Sequence, residues 1–331
     1  MSQSEIYDIT IIGGGPTGLF SAFYAGMRQA KTLVIESLPQ LGGQLAMLYP
    51  EKHIYDVAGF PSITAKELID NLVEQNKRFE HDYVLNETVT MIEKIEETCF
   101  KIVTNKHEYF SKTIIITAGN GAFSPRKVTL DGAEDCEEIS LHYFVNDLEK
   151  FTDQDVVITG GGDSAIDWAL MIEPIAKSVT LVHRRKEFRG HEHSVSLLKQ
   201  SNVILKTPFV VDQLHHEDGK MKQITLTNPK EGISETIETD HLIVNFGFKS
   251  SIGPIKNWAL ALKGKQISVS SNMSTSIPGI FAAGDICWYP GKVELIATGL
   301  GEAPTAVNNA LHFAHPEQRV QPGHSTSLFK E

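Results

Sequence analysis

The sequence contains little cysteine, which limits the chemistry that it can support. Cys99, Cys136 and Cys287 are its three cysteines in 331 residues, and none belongs to a C-x-x-C pair. A framework of structural disulfides is therefore not expected. This cysteine usage fits a reducing compartment, and we expect the protein to act in the cytoplasm.

Long apolar runs and an excess of basic charge are also missing. No stretch approaches the roughly 18 consecutive apolar residues of a membrane span, so no membrane association is expected. The formal net charge of −11 argues against a nucleic-acid partner, because such proteins present a large basic surface. Met1–Tyr7 lacks the basic and apolar regions of a secretory leader, and none is expected.

Two further kinds of site find no support. A G-x-S-x-G elbow is absent, so a hydrolase of that type is not indicated. The neighbouring histidines His191 and His193, like His215 and His216, lack a third ligand at suitable spacing. We therefore expect surface histidines and no metal site.

A strand followed by a glycine-rich turn and a helix opens the sequence. The apolar run Ile9–Ile12 predicts a buried strand, and Leu19–Met27 predicts a helix. Between them the turn has the dinucleotide-binding spacing G-x-G-x-x-G, and we assign four of its residues to a nucleotide: Gly13, Gly15, Thr17 and Gly18. Glu36 ends the next predicted strand, where a carboxylate can accept both hydroxyls of an adenosine ribose.

The same pattern starts again in the middle of the chain, with two informative differences. The second turn follows the strand Val156–Ile158 and ends on alanine, and its assigned residues are Gly160, Gly162, Ser164 and Ala165. The next strand ends in arginines, Arg184, Arg185 and Arg189, where the first unit has an acid. A guanidinium binds a 2′-phosphate that a carboxylate would repel, so this site is predicted to prefer NADPH.

Two nucleotide sites, one acidic and one basic, predict FAD and NADPH as cofactors. Asp285 follows the small-residue strand Ile280–Ala283 and Gly284, a position suited to the second ribose and pyrophosphate of FAD. A helix is predicted over Pro304–Ala314, and its positive end would face the edge of the flavin that gains charge on reduction.

Together, these motifs resemble the low-molecular-weight thioredoxin reductase family. The resemblance rests on GGGPTG, GGGDSA, the HRRxxxR set, Thr117–Gly119 and FAAGD, and it covers nearly the whole chain. Thioredoxin reductases carry a redox-active C-x-x-C shortly before the second glycine motif. Here that stretch, residues 141–147, contains no cysteine. The resemblance therefore does not extend to a dithiol relay.

In this respect the sequence is similar to the thioredoxin-reductase-like ferredoxin/flavodoxin–NADP⁺ reductases. The matching segments are Leu141–Phe144, Gly190–Ser194, Gly301–Ala306 and His324–Phe329. This resemblance implies a homodimer whose C-terminal tail covers the partner's flavin, and ferredoxin or flavodoxin as the acidic electron carrier. It also implies that Tyr49 and His324 stack on opposite faces of the isoalloxazine, with Ser325 near N5. The implied FAD contacts are Glu36, Gln44, Val89, Phe123, Asp285 and Thr326.

We therefore expect an α/β fold of two Rossmann-like dinucleotide-binding domains, the second inserted into the first. The FAD domain is predicted at 1–119 plus 249–331, and the NADPH domain at 120–248. The expected activity is electron transfer between NADPH and ferredoxin or flavodoxin. Two alternatives stay open at this point: a disulfide or thioredoxin-type reductase using a cysteine elsewhere, and a non-enzymatic nucleotide or redox sensor.

Overall fold

The computed structural model describes residues 6–145, 147–321, 323 and 325–327, with the backbone alone at 122–124 and 327. The first third of the chain is mixed α/β. Its elements are β1 (Ile6–Ile12), α1 (Pro16–Met27), β2 (Thr32–Ile35), α2 (Gly43–Leu48), β3 (His53–Ile54), β4 (Ile63–Thr64), α3 (Ala65–Asn76), β5 (Asp82–Val84), β6 (Val89–Glu96), β7 (Cys99–Thr104), β8 (Glu108–Ile116) and β9 (Ala122–Pro125).

The middle of the chain repeats the alternation of strand and helix. Its elements are α4 (Ala133–Cys136), β10 (Leu141–His142), a 3₁₀ turn (Glu149–Phe151), β11 (Asp155–Gly160), α5 (Asp163–Ile172), β12 (Ser178–Val182), α6 (Glu192–Gln200), β13 (Ile204–Lys206), β14 (Val210–Glu217), β15 (Lys220–Asn228), β16 (Ile233–Glu238) and β17 (His241–Asn245).

The last part of the chain returns to short strands and ends in a long helix. Its elements are β18 (Phe248–Ser251), a 3₁₀ turn (Gly253–Asn257), β19 (Leu262–Lys263), β20 (Gln266–Ser268), β21 (Ile280–Ala282), β22 (Cys287–Trp288), α7 (Ile296–Ala314) and a 3₁₀ turn (Ser325–Ser327). None of the helices within the described ranges has the length and apolar character needed to cross a membrane.

Two compact units divide the chain. The first comprises residues 1–123 and 250–331, and the second comprises residues 124–249. The second unit is thus an insertion in the sequence of the first. These bounds differ by one to four residues from the boundaries drawn from the sequence.

The first unit is built on a seven-stranded sheet in the order β5-β2-β1-β8-β7-β6, with β21 also paired to β8. The pairs β5·β2, β2·β1, β1·β8 and β8·β21 are parallel. The strands β6, β7 and β8 pair antiparallel. Ile9 and Ile11 on β1 pack with α1 and α7 residues, while Ile12 joins a second buried cluster. The continuous apolar run is thus buried on both faces, as in parallel sheets.

The second unit has a five-stranded parallel sheet in the order β10-β17-β11-β12-β13. The strands β14, β15 and β16 form a separate antiparallel sheet. Both units therefore contain the predicted strand–turn–helix–strand start within a parallel sheet. The predicted fold of two Rossmann-like modules is confirmed.

One helix prediction needs correction. The helix predicted from Pro304 begins at Ile296 and carries Pro304 inside it. Glycines and proline are poor helix formers, but buried Gly299, Ala303 and Ala306 pack tightly enough to override that preference. Helix α3 begins with a Thr64–Glu67 capping box and ends at Asn76. Phe79 lies beyond that end and packs against Gly26.

Candidate functional site

The turn between β1 and α1 has the backbone that a bound pyrophosphate requires. Gly13 has φ +112°, and a Cβ there would lie 2.6 Å from the Thr117 carbonyl oxygen. A Cβ on Gly18 would lie 1.9 Å from the Gly13 carbonyl oxygen, so helix and turn pack without space for a side chain. A Cβ on Gly15 would meet nothing within 4 Å, which leaves its backbone open to an approaching phosphate. The N–H groups at the start of α1 suit an anion.

The buried side chain of Glu36 is hydrogen-bonded to this turn. It is 5% exposed, and its Oε2 accepts the Gly14 backbone N–H at 2.7 Å. Its Oε1 accepts from the Leu38 N–H at 2.9 Å and the Ser37 hydroxyl at 3.2 Å. Since a carboxylate has roughly four acceptor sites, capacity remains for a ribose hydroxyl. The carboxylate's position matches the sequence prediction.

A cavity of about 430 Å³ lies beside this turn, and all its lining residues belong to the first unit. Eight of the residues assigned from the sequence to FAD line it: Gly13, Gly15, Thr17, Glu36, Gln44, Tyr49, Val89 and Asp285. Gly18 does not line the cavity, because it packs against the backbone of Gly13. The open glycine backbone and the buried acid in one cavity fit an adenine dinucleotide.

Tyr49 and Asp285 are two further titratable side chains that line this cavity. Tyr49 caps α2 and is half-buried. Its burial, and next the negative charge of Asp285, raise the pKa of the phenol, so it stays neutral. Burial also raises the pKa of the Asp285 carboxyl, with Lys292 acting in the opposite direction. A neutral ring and a partly buried carboxylate thus face the same cavity.

Two further assigned residues, Ser325 and Thr326, are not brought to this cavity. Ser325 and Thr326 form a 3₁₀ turn, are exposed and do not line the cavity of their own chain. His324 lies outside the described residues, and so does the side chain of Phe123. The stacking role of His324 and the contact of Phe123 therefore stay predictions.

The second glycine turn uses its glycines differently. Strand β11 runs through Gly160, where a Cβ would lie 2.7 Å from both the Asn245 carbonyl oxygen and the Ala165 Cβ. The first glycine is thus needed for close packing here, whereas Gly13 is needed for its positive φ. Gly162 is open within 4 Å, and helix α5, which contains Ser164, begins at the next residue.

The loop that carries the three arginines, residues 183–191, is hydrogen-bonded to this turn. The Arg189 backbone N–H donates to the Gly161 carbonyl oxygen at 2.7 Å. Arg184, Arg185 and Arg189 are all exposed. Within the described part of the chain, no carboxylate lies within ion-pair distance of these three guanidinium groups. They are therefore available to an anionic ligand such as a 2′-phosphate.

The stretch that lacks a C-x-x-C motif, residues 141–147, contains a buried tyrosine. Tyr143 is 5% exposed, and its hydroxyl accepts the Val128 N–H at 3.2 Å. All three cysteines are free thiols. Burial raises the pKa of Cys136, and burial together with Glu302 raises the pKa of Cys287 to about 12. Neither buried thiol is a thiolate at neutral pH, which nucleophilic thiol chemistry requires.

Part of the cavity wall consists of residues that the sequence motifs do not predict. Ile252, Pro254 and Trp258 line it from the segment after β18, and Glu87 lines it ahead of β6. Their distance along the chain from the glycine turn gives no local signal. Glu302 appeared only within a matching segment, and no role was assigned to it.

Comparisons with known proteins agree with this geometry. The profile of the pyridine nucleotide-disulphide oxidoreductase family matches residues 7–310. Ferredoxin–NADP reductase 2 of Bacillus subtilis (strain 168) is 60% identical over 328 residues, covering 99% of this chain and 98% of that protein. Ferredoxin–NADP reductase 2 of Listeria monocytogenes serovar 1/2a is 57% identical over 328 residues, with 99% of both chains covered.

Among solved structures, the thioredoxin reductase of Lactococcus lactis in its FR conformation is similar at a TM-score of 0.72. The sequences are 28% identical, and the match covers 93% of this chain and 99% of that one. The likeness extends over both units and agrees with the thioredoxin-reductase-like fold predicted from the sequence.

Proposed function

The chain belongs to the pyridine nucleotide-disulphide oxidoreductase family, and we propose that within it the protein is a ferredoxin–NADP⁺ reductase. One observation carries the proposal. Two glycine turns, one with a buried acid and one beside arginines that have no carboxylate partner among the described residues, occur in a chain whose buried thiols are unsuited to relay electrons. The full-length likeness to ferredoxin–NADP reductases supports the same activity.

FAD is assigned to the cavity of the first unit. Gly13, Gly15, Thr17 and the start of α1 would hold its pyrophosphate, and Glu36 its adenosine ribose. Gln44, Val89 and Asp285 would contact it along the cavity wall, and Tyr49 would stack on the ring. When bound, FAD accepts a hydride and releases electrons one at a time. The protein holds the cofactor and excludes water from the cavity.

NADPH is assigned to the second unit, residues 124–249. Gly160, Gly162, Ser164 and Ala165 would contact its pyrophosphate at the start of α5. Arg184, Arg185 and Arg189 would bind the 2′-phosphate. Their lack of carboxylate partners in the described ranges supports this role.

The proposal extends to the carrier and the assembly. Ferredoxin or flavodoxin receives the electrons, and the protein acts as a homodimer in the cytoplasm. The tail would bring His324, Ser325 and Thr326 to the partner's flavin. The exposure of Ser325 and Thr326 in their own chain supports this arrangement. Light scattering of the purified protein measures the mass, and a monomer would contradict the dimer.

An anaerobic titration with NADPH tests the proposed function. A flavin alone accepts two electrons, whereas a flavin with a redox-active disulfide accepts four, since each dithiol couple carries two. We expect one equivalent of NADPH per FAD to bleach the flavin fully. Consumption of two equivalents would indicate a disulfide reductase. A colourless protein that binds no FAD would indicate a sensor and contradict the proposal.

A further inference from the structure

A buried ion pair lies behind the cavity wall. The side chains of Lys292 and Glu302 are 2% and 6% exposed, and the ammonium nitrogen contacts Glu302 Oε1. Neither residue lines the cavity. Burying two charges is costly unless their remaining hydrogen-bonding capacity is also satisfied. The surroundings of this pair show what satisfies it.

Both charges are bonded to the backbone of Gly284. Glu302 Oε2 accepts the Gly284 N–H at 2.7 Å, and Lys292 Nζ donates to the Gly284 carbonyl oxygen at 3.2 Å. Gly284 has φ +79°, and a Cβ there would lie 2.9 Å from Thr17 Oγ1. The pair therefore fixes the peptide groups on both sides of a residue whose conformation favours glycine.

Two more side chains complete the carboxylate's hydrogen bonds. The Tyr289 hydroxyl donates to Glu302 Oε1 at 2.6 Å, and the Cys287 thiol lies 3.5 Å from Oε2. Lys292 Nζ lies 3.6 Å from the same thiol. The segment 284–302 contains all four side chains of this network, Cys287, Tyr289, Lys292 and Glu302. Their contacts therefore close the loop between β21 and α7.

Asp285 is the residue that this network presents to the cavity. It directly follows Gly284 and lines the cavity. Its backbone carbonyl accepts from Gln266 Nε2 at 3.0 Å. The charges of Lys292 and Glu302 both reach its carboxyl, since the first lowers and the second raises its pKa. A change in the charge of Lys292 or Glu302 therefore changes the electrostatic potential at the cavity.

We propose that Lys292 and Glu302 are positioning residues for the flavin. Their pair holds the Gly284 peptides so that Asp285 faces the cofactor, and its two opposite charges leave no net charge beside the cavity. The inference rests on the proposed placement of FAD in this cavity. Since neither residue touches the cavity, they act through Gly284 and Asp285.

Four variants of the full-length flavoprotein test the proposal: Lys292→Met, Glu302→Gln, the double variant and Lys112→Met as the control. Lys112 pairs with Asp8 at 2.8 Å in the same unit, away from the cavity. The measurements are the flavin midpoint potential, the rate of FAD release and the melting temperature. A purely structural role would change the last two without changing the potential.

The single variants are expected to shift the potential in opposite directions. Lys292→Met leaves a negative charge that disfavours flavin reduction and lowers the potential, whereas Glu302→Gln raises it. The double variant is expected to return towards the wild-type potential. It should still release FAD about tenfold faster, a change equivalent to about 1.4 kcal/mol, because the Gly284 carbonyl has lost its donor. Lys112→Met should leave potential and release unchanged.

Potentials that stay at the wild-type value in both single variants would overturn the proposal. If a single variant fails to fold, the double variant decides, and wild-type FAD release from it would contradict the positioning role. Asp285→Asn separates this result from failure of the cavity assignment. Unchanged FAD release in Asp285→Asn would reject the cavity, whereas faster release there with silent pair variants would reject only the pair.

Discussion

At the residue scale, the charge at the end of the second strand distinguishes the two nucleotide turns. Glu36 directly follows β2 and bonds to the first turn, whereas arginines follow β12 beside the second. Both features could be predicted because they lie at fixed spacing from a local motif. A carboxylate suits ribose hydroxyls, and guanidinium groups suit a phosphate. The assignment of the second nucleotide can therefore be tested by changing charge alone.

Replacing Arg184 and Arg185 with Ala should weaken the use of NADPH selectively. Each charged hydrogen bond lost costs about 1.5–3 kcal/mol, so the KM for NADPH should rise at least about tenfold. The KM for NADH should change little. The exposed Lys199→Ala on α6 serves as the control, since it removes a cation from the same unit. Equal effects on both nucleotides would contradict the assignment.

Other residues of the site could not be found from the sequence. Trp258 lines the cavity and donates through its indole N–H to the Thr90 carbonyl at 3.3 Å, across 168 positions of sequence. Lys292 and Glu302 meet only because the loop after β21 folds back onto α7. Such contacts depend on packing between distant segments, and local sequence patterns do not predict them.

At the scale of elements, α7 shows how packing overrides local preference. The sequence predicts its start at Pro304, but the helix begins eight residues earlier, and Leu295 and Ile296 at its start line the cavity. This start could not be predicted from the sequence because two glycines lie in the first turns of the helix, and glycine disfavours helices. The structure gives them different surroundings. Gly299 is buried against Thr17 and Gly284, whereas Gly301 is exposed.

This difference predicts opposite effects of the same substitution. In Gly299→Ala the Cβ would lie 2.3 Å from Thr17 Oγ1 and 3.2 Å from Gly284 Cα. We expect about 1–3 kcal/mol of destabilisation, as for other overpacked sites, together with weaker FAD retention. A Cβ on Gly301 would meet nothing within 4 Å. Gly301→Ala should therefore be neutral or stabilise by about 0.5–1 kcal/mol.

Thermal unfolding of the two variants, with FAD absorbance after gel filtration, checks the prediction. The pair is matched because both glycines lie in α7, two residues apart. A stable, fully flavinated Gly299→Ala protein would show that the contact between α7, Thr17 and Gly284 does not constrain the cavity.

At the scale of the whole molecule, each compact unit contains one nucleotide turn. The duplicated motif predicts two such units, and the arginines predict that the second turn binds NADPH. The stretch that carries C-x-x-C in thioredoxin reductases carries buried Tyr143 here, and the cysteines lie elsewhere as free thiols. We propose that electrons leave directly from the flavin to an electron carrier.

Rapid mixing tests this claim most directly. The protein is first reduced anaerobically with NADPH, alkylated with iodoacetamide and freed of the reagent, and it is then reduced again and mixed with oxidised ferredoxin or with oxidised thioredoxin. Alkylation removes any accessible thiol from the reaction. We expect flavin absorbance to return with ferredoxin, at the same rate before and after alkylation, and not to return with thioredoxin. Reoxidation by thioredoxin that is abolished by alkylation, with no response to ferredoxin, would contradict it.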